Sequence, residues 1–471
     1  MIFSQQQTPP RQGISMSSTR LVLKAFAIAA LTIVILIALF LISNIIDSRQ
    51  SYRNDARTSI EESYASNQTI VGPILIRPFT VTSHSTRTDE KGVKQIIEHT
   101  RSGSSWSFPH ELNVTGTLVP SERRHGLYKV PVYELDSHLT GTVDVADTTL
   151  NEGETPQNVT YGTPYFALAV TDVRGIVGSP KMIVNNLPVQ IFQGAPESAS
   201  WQPNLQAPLH VAPEGPHGRI TFALDLTLAG TDHLNIAPVA DSNHIDLSSS
   251  WPSPLFAGSF LPRGYTVGTE GFKAQWDISS LASATQAQML THKDKDNAKL
   301  DLLEVDLITS VDPYKLSDRA VKYGILFVLI TFGGFFVFEV MHHLPIHPVQ
   351  YFLVGLGLAI FFLLLISFSE HIAFGAAYLL ASAACIGLLT FYLTFVLRSL
   401  PYGLAFGSLL TLLYAGIYGL LISEDNALIL GSLMLFVLLA LVMYVTRKVD
   451  WYKNTAPQTL PPPLPPVPAN P

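Results

Sequence analysis

The chain has 471 residues, of which 47% are hydrophobic and 14% charged, and its formal net charge is −7. It contains no basic block of the kind that nucleic acid needs, which argues against DNA or RNA as a partner. The single cysteine, Cys385, excludes an intrachain disulfide and the cysteine-rich zinc sites with four ligands. Charges and prolines concentrate between about 47 and 320 and apolar residues between about 322 and 446, so a water-soluble segment is expected beside a membrane-embedded one.

The first apolar run predicts a transmembrane anchor at 21–46. It is longer than a signal-peptide core, it approaches the roughly 20 residues that span a bilayer, and no clear cleavage site follows it. Arg20 and Lys24 flank its start, which predicts a cytoplasmic N-terminus. The polar residues 1–20 are expected to form a disordered cytoplasmic arm.

Residues 47–311 predict a β-rich segment that begins with a polar helical continuation of the anchor. The stretch GPILIRPF (72–79) is typical of a buried strand with a breaker at each end. Later stretches alternate apolar and polar residues between turn signals, which predicts antiparallel sheets in a sandwich or an extended β assembly. The segment is long enough for two subdomains. In GFKAQWDISSLA the residues expected to share one face are Phe272, Ala274, Trp276 and Ile278.

Five more spans are predicted within 312–446, which with the anchor gives an α-helical membrane bundle of six spans. Asp312 can cap the first of these helices, Pro313 fits its first turn, and Asp318 can pair with Lys322 four residues later. A G-x-x-x-G pattern at 403–407 favours close helix packing within the chain. The proline-rich residues 447–471 predict a cytoplasmic tail.

Loop charges give the predicted bundle an orientation. With a cytoplasmic N-terminus, the loop with Arg398 and the basic start of the tail lie inside, whereas the loops with Glu370 and with Glu424-Asp425 lie outside. Two basic residues near 320 oppose this count and are outnumbered. Residues 47–311 are therefore expected outside the inner membrane, in the periplasm of a cell with two membranes.

Glu370 and His371, at the predicted outer end of a span, are the first candidate functional residues. Ionisable groups near hydrocarbon are costly and often functional. Because water and headgroups reach an interface turn, a structural role stands beside a role in binding or coupling.

Glu339 is the second candidate, because His342, His343 and His347 follow it closely. Histidine clusters can bind zinc or copper, but prolines at 345 and 348 break the helix that regular ligand spacing requires. The favoured interpretation is a cap in which Glu339 pairs with a histidine or a nearby cation. No metal site, cofactor or catalytic residue is predicted.

The predicted span interiors contain no aspartate, glutamate, arginine or histidine, which disfavours an ion-coupled transporter. The outer segment has no G-x-S-x-G, H-E-x-x-H or phosphate-loop motif. We therefore expect a non-enzymatic protein. A membrane transporter or channel and an envelope enzyme that acts on lipid or peptidoglycan remain as alternatives.

Three stretches carry a resemblance to a known family. They are GPILIRPF, FLPRGYTVGTEGFKAQWDISSLA, and SDRAVKYGILFVLITFGGFFVFE running on through HPVQYFLVGLGLAIFFLLLISFSEHIAFGAAYL. With one anchor, a large β-rich segment and a C-terminal cluster of spans, the chain resembles the CreD family of bacterial inner-membrane proteins. The resemblance covers nearly the whole chain except the N-terminal arm and the proline-rich tail.

The resemblance implies a contribution to cell-envelope integrity and an association with a two-component regulatory system. It implies no catalytic residues. Combined with the large outer segment, it leads us to expect that this segment binds or senses an envelope component while membrane lipids surround the spans. Nothing in the sequence assigns an oligomeric state.

Overall fold

The computed structural model describes residues 18–88, 94–145, 158–194, 203–209, 218–291, 300–307, 312–342, 346–423 and 426–447. The predicted tail, apart from its first residue, and residues 1–17 of the predicted arm lie outside these ranges, and residues 18–20 already belong to the first helix. Contacts divide the chain into two compact units, Met1–Tyr52 with Val311–Pro471, and Arg53–Ser310. Length had suggested two subdomains in the β-rich part, whereas this part forms one unit.

The described residues form seven α-helices. They are α1 (Ser18–Ser63), α2 (Thr285–Thr291), α3 (Pro313–His342), α4 (Pro348–Ser369), α5 (Phe374–Val396), α6 (Leu400–Ile422) and α7 (Ala427–Thr446). Five of these, α1 and α3 to α6, are long and apolar enough to cross a membrane, and α7 contributes a shorter apolar stretch, Leu428–Val437. The predicted helical membrane bundle is confirmed, and five of its six predicted spans are found by length and composition.

The start of α3 follows its sequence signals. The Oδ1 atom of Asp312 accepts hydrogen bonds from the backbone N–H groups of Tyr314 at 3.0 Å and Lys315 at 3.4 Å, which caps the helix as predicted. The Lys322 ammonium donates to Asp318 Oδ2 at 2.6 Å, so the expected pair at spacing four is also confirmed.

Small residues bring α5 and α6 together. A Cβ atom on Gly403 would lie 2.2 Å from Thr394 Oγ1, and one on Gly407 would lie 2.3 Å from Thr390 Oγ1. Only glycine leaves room for these threonines. The G-x-x-x-G pattern therefore packs helices within one chain, as expected.

The β-rich unit contains 17 described strands. They are β1 (Gln68–Thr88), β2 (Lys94–Ser107), β3 (Glu111–His125), β4 (Tyr128–Asp144), β5 (Val159–Tyr161), β6 (Tyr165–Val170), β7 (Ile176–Val184), β8 (Leu187–Val189), β9 (Phe192–Gln193), β10 (Leu205–Pro208), β11 (Arg219–Thr231), β12 (His233–Ile236), β13 (Ser242–Ser249), β14 (Pro254–Gly258), β15 (Gly264–Gly268), β16 (Gly271–Ser279) and β17 (Leu303–Leu307).

These strands form two sheets. Sheet A has the order β14-β17-β12-β1-β6-β10-β9, with β2 and β5 also paired to β1. Sheet B has the order β15-β16-β13-β3-β4-β11-β7-β8. The expected antiparallel pairing is found except between β1 and β12 and between β3 and β13, which are parallel. The parallel pairs arise because the chain leaves each sheet and returns through a long connection, which hairpins cannot produce.

The two sheets pack face to face around one core. The rings of Phe166 in sheet A and Phe222 in sheet B lie 5.2 Å apart, and Phe256 of β14 lies 5.7 Å from Trp276 of β16. Strand β16 alternates buried and exposed residues, and the four residues predicted to share its inner face are all buried. The outer positions in the central strands of sheet B are mostly polar.

The crossing from β11 of sheet B to β12 of sheet A takes a single residue, Asp232. It follows the last residue of β11 and precedes the first of β12, and its φ of 57° is in the left-handed region. Arg57 Nε lies 2.5 Å from Asp232 Oδ2, and the Leu307 N–H donates to the Asp232 carbonyl at 2.9 Å. These contacts fix the crossover and thereby position the next residue, His233.

Candidate functional site

A shallow groove of about 860 Å³ lies on the outer face of sheet B. It crosses six neighbouring strands, from β15 to β11. With strands about 4.8 Å apart, five spacings give a length of roughly 24 Å. The groove therefore has the dimensions for an extended chain rather than a compact molecule.

Strand register arranges the groove residues in two rows. One row reads Gly264, Gln275, Asp246, Thr115, His138 and Asp225, and the next reads Thr266, Lys273, Ser248, Thr117, Asp136 and Thr227. The period of two places these residues on the outer face, because in β4, β13 and β16 the residues between them are buried. The surface offers hydroxyl, amide and carboxylate groups with one lysine.

The groove carboxylates already accept hydrogen bonds from neighbours. His138 Nδ1 lies 2.6 Å from Asp225 Oδ1, and the Thr227 hydroxyl donates to Asp136 Oδ1 at 2.9 Å. These bonds hold the side chains in place while the second oxygen of each carboxylate remains available for a ligand.

Two other histidines of sheet B bridge pairs of carboxylates through opposite ring nitrogens. His110 meets Asp241 at Nδ1 (2.9 Å) and Asp144 at Nε2 (3.0 Å). His244 lies 2.5 Å from Asp277 at Nδ1 and 3.2 Å from Asp246 at Nε2. The hydrogen bond to Asp241 raises the pKa of His110, and that to Asp277 raises the pKa of His244.

A different arrangement surrounds His233 on sheet A. Its Nδ1 lies 2.5 Å from Asp306 Oδ1 and 3.5 Å from Glu304 Oε1. One ligand atom from each residue lies within 4.8 Å of the other two. No metal site was predicted from the sequence, because this cluster is formed by the pairing of β12 with β17. Its sequence signal is only the alternation of polar residues in HLNI and LEVDL.

Glu339 is buried at the end of α3, with 2% of its side chain exposed. It forms an ion pair with Lys24 of α1, and its Oε2 accepts a hydrogen bond from the Tyr351 hydroxyl at 2.9 Å. The Lys24 ammonium also donates to the Ile346 carbonyl at 2.6 Å. The structure thus contains the expected pairing of Glu339 with a nearby cation.

Of the three histidines near Glu339, only His347 has a side chain that the structure describes. His347 caps α4, because its Nδ1 accepts from the Val349 N–H at 3.3 Å. His343 and the side chain of His342 lie outside the described residues.

At the opposite end of α4, the side chains of Glu370 and His371 contact different partners. Glu370 Oε1 lies 3.6 Å from Arg49 Nε of α1 and accepts from the Tyr314 hydroxyl at 3.3 Å. His371 is exposed and its Nδ1 lies 3.2 Å from the Ser367 carbonyl. Glu370 and His371 are adjacent in sequence, but their side chains do not converge on a common site.

Both candidate glutamates are held by cations of α1. Lys24 and Arg49 are 25 residues apart, which is about 38 Å along a helix and comparable to a bilayer with its headgroups. The sequence offered no means to pair these charges, since each partner is far away along the chain.

Comparison with known proteins places this architecture. The family model described as "Inner membrane protein CreD" matches residues 20–452. The chain is also 35% identical over 430 residues to the inner membrane protein CreD of Escherichia coli (strain K12), covering 90% of this chain and 92% of that protein. The chain belongs to the CreD family. The resemblance seen in the sequence is thereby confirmed, and this CreD-family chain is an inner-membrane protein.

The CreD match includes every candidate residue described above. Sequence reasoning singled out Glu339, Glu370 and His371 because they stand out in apolar surroundings. It missed the groove and the His233 cluster of this CreD-family chain, because polar residues in strands look alike until register brings particular ones together.

Proposed function

We propose that this CreD-family protein contributes to cell-envelope integrity as a non-enzymatic membrane protein whose β-rich segment binds an extended, polar envelope component. The observation that carries the proposal is the groove across sheet B, about 860 Å³ in volume and lined by hydroxyl, amide and carboxylate groups. The five-helix bundle described above would serve as its platform in the membrane, in contact with membrane lipids.

The chemistry of the groove selects a class of ligand. Asp136, Asp225 and Asp246 give it an excess of negative charge over the single cation of Lys273. Such a surface favours ligands that donate hydrogen bonds from hydroxyl and amide N–H groups, as the N-acetylated glycan strands of a cell wall do.

Cosedimentation with purified peptidoglycan tests the proposal. The full chain in detergent micelles should bind the polymer, and the Asp136→Arg/Asp246→Arg variant should lose most of this binding because two bulky cations fill the groove. Glu98→Arg is the control for a single charge reversal outside the groove, since it makes one such Asp/Glu→Arg change at an exposed position of β2 in sheet A. Equal binding by wild type and the groove variant would refute the proposal.

A second experiment connects the groove with the envelope. A deletion of 47–311 that keeps the spans should cause an envelope defect, measured as sensitivity to detergent. The groove variant should show the same defect and Glu98→Arg should not. A deletion strain with normal resistance would count against any role of the segment.

The proposed orientation places both termini in the cytoplasm and residues 47–311 in the periplasm. It is supported by the loop charges and can be tested with a membrane-impermeant maleimide. Leu281, 98% exposed in the β-rich unit, and Arg398, exposed between α5 and α6, are suitable for single cysteine substitutions. Cys385 is buried and provides little background. Leu281→Cys should be labelled in cells with a permeabilised outer membrane, whereas Arg398→Cys should be labelled only after lysis. The reverse pattern would show the opposite topology and refute the proposed orientation.

A further inference from the structure

The donors around His233 converge on one point. Asp306 Oδ1 and Glu304 Oε1 both face the same ring nitrogen, Nδ1, at 2.5 and 3.5 Å. A metal ion needs this arrangement, in which several ligand atoms surround one position. His110 and His244 serve as internal comparisons, because their carboxylates lie on opposite nitrogens and cannot share one ion with the ring.

The two carboxylates of the cluster also face each other. Glu304 and Asp306 are two residues apart on β17 and project from the same face of the strand. Both reach the same His233 nitrogen, so the two carboxylates lie close together. Two carboxylates so placed need a proton or a cation between them.

Asn235 provides an independent observation. It lies directly opposite Glu304 in the register of β12 and β17. Its Oδ1 is buried and has no hydrogen-bond partner among the residues that the structure describes. Its amide nitrogen donates to Thr69 on β1, the strand on the other side, at 3.4 Å. A buried oxygen acceptor without a donor calls for a ligand, and a cation would satisfy it.

Arg57, a cation close to the crossover at Asp232, is paired with carboxylates outside the cluster. Arg57 Nε lies 2.5 Å from Asp232 Oδ2 and 2.9 Å from Glu61 Oε1, so its charge is shared by two carboxylates that do not belong to the cluster. The cluster itself sets two carboxylates against a single imidazole. The local field therefore favours a divalent cation.

We propose that His233, Glu304 and Asp306, with the Asn235 side-chain oxygen beside them, form a binding site for a divalent first-row transition-metal ion. One imidazole nitrogen with carboxylate oxygens is a mixed ligand set that suits Zn²⁺ or Mn²⁺ better than Ca²⁺ or Mg²⁺, which prefer oxygen ligands alone. Binding separates His233 from Asp306 and releases the protons held by the cluster. The site is on sheet A and is distinct from the groove of sheet B.

Metal titration of the full chain in detergent micelles tests this proposal. After treatment with a chelator, the wild type should bind one equivalent of Zn²⁺ or Mn²⁺ by isothermal titration calorimetry, with a heat that depends on the buffer because protons are released. Glu304→Gln keeps the size of the side chain and should weaken binding by about tenfold or more. His244→Gln, at a histidine whose carboxylates do not converge, should bind as the wild type does.

Two further readouts keep the test decisive. Excess metal should raise the unfolding temperature of the wild type and of His244→Gln, but raise that of Glu304→Gln much less. If Glu304→Gln does not fold, Asn235→Ala takes its place, with weaker binding expected. Failure of the wild type to bind either ion, or equal affinity in the wild type and the cluster variant, would overturn the proposal. If the groove variant still binds one equivalent of the metal, the metal site is independent of the groove, and the two proposals can fail separately.

Discussion

Removing both partners of the Lys24–Glu339 pair should destabilise the bundle by less than the sum of the two single removals. Glu339 is 2% exposed and Lys24 13% exposed, so neither charge is well hydrated once its partner is lost. Glu339→Gln leaves the ammonium with the Ile346 carbonyl, and Lys24→Met leaves the carboxylate with Tyr351 and a backbone N–H. The double variant leaves no buried charge.

Magnitudes follow from this geometry. Breaking a buried ion pair by removing one partner costs about 3–5 kcal/mol, and the partial exposure of Lys24 puts Glu339→Gln near the lower end, at about 3 kcal/mol. Tyr351→Phe removes a single hydrogen bond and should cost only about 1 kcal/mol, since such bonds in membrane helices average roughly 0.6 kcal/mol. The exposed pair Asp318–Lys322 is the matched control, with about 0.3–0.5 kcal/mol expected for Asp318→Asn.

A double-mutant cycle measures the coupling. The full chain is unfolded with sodium dodecyl sulfate in mixed micelles and followed by its helical circular dichroism. The free energy lost by Lys24→Met/Glu339→Gln should be smaller than the sum of the single losses by about 2 kcal/mol. If the loss in the double variant equals the sum of the two single losses to within about 0.5 kcal/mol, the two charges are not coupled and the buried-pair reasoning is refuted.

Three further predictions concern the β-rich unit and are read from unfolding of the purified full chain by tryptophan fluorescence. Trp276→Ala should cost about 3–5 kcal/mol because the ring is 1% exposed, whereas Leu281→Ala, at a residue 98% exposed, should stay within about 0.5 kcal/mol. Gly141→Ala should destabilise the fold by about 1–3 kcal/mol or more, since its Cβ would lie 2.3 Å from a carbonyl oxygen of β3; unchanged stability would show that the strands separate easily. Hydrogen bonds from Arg174 lower the pKa of the Asp172 carboxyl to about 2, below its unfolded value of about 3.9, so its contribution is present above pH ~4 and is lost as the pH falls toward 2. Asp172→Asn should therefore flatten the dependence of stability on pH in that window, and an unchanged slope would contradict the assignment.

Local features of the fold were predictable because they depend on neighbours in sequence. The alternation in GFKAQWDIS gave the buried face of β16 correctly, and the Asp312 cap and the Asp318–Lys322 pair needed only the spacing of helical turns. The helical spans followed from runs of apolar residues, which remain apolar in any tertiary arrangement.

Long-range features were not predictable, since single-sequence patterns carry no register. Lys24 and Glu339 are 315 residues apart, and the parallel pairing of β3 with β13 depends on how the chain returns to sheet B. His233 became a candidate ligand only through its position opposite Asp306. The proposed sites are therefore products of strand pairing rather than of motifs.

The position of β17 has a consequence for the biosynthesis of the protein. This strand lies between β14 and β12 in sheet A, yet it is the last strand of the segment and ends shortly before α3 begins at Pro313. Until residue 307 has been made, β12 and β14 each keep an open edge, and open edges invite pairing with other chains. The segment thus completes its fold only after its last strand has been made, and a nascent chain cut short before that point would be left with an unfinished sheet.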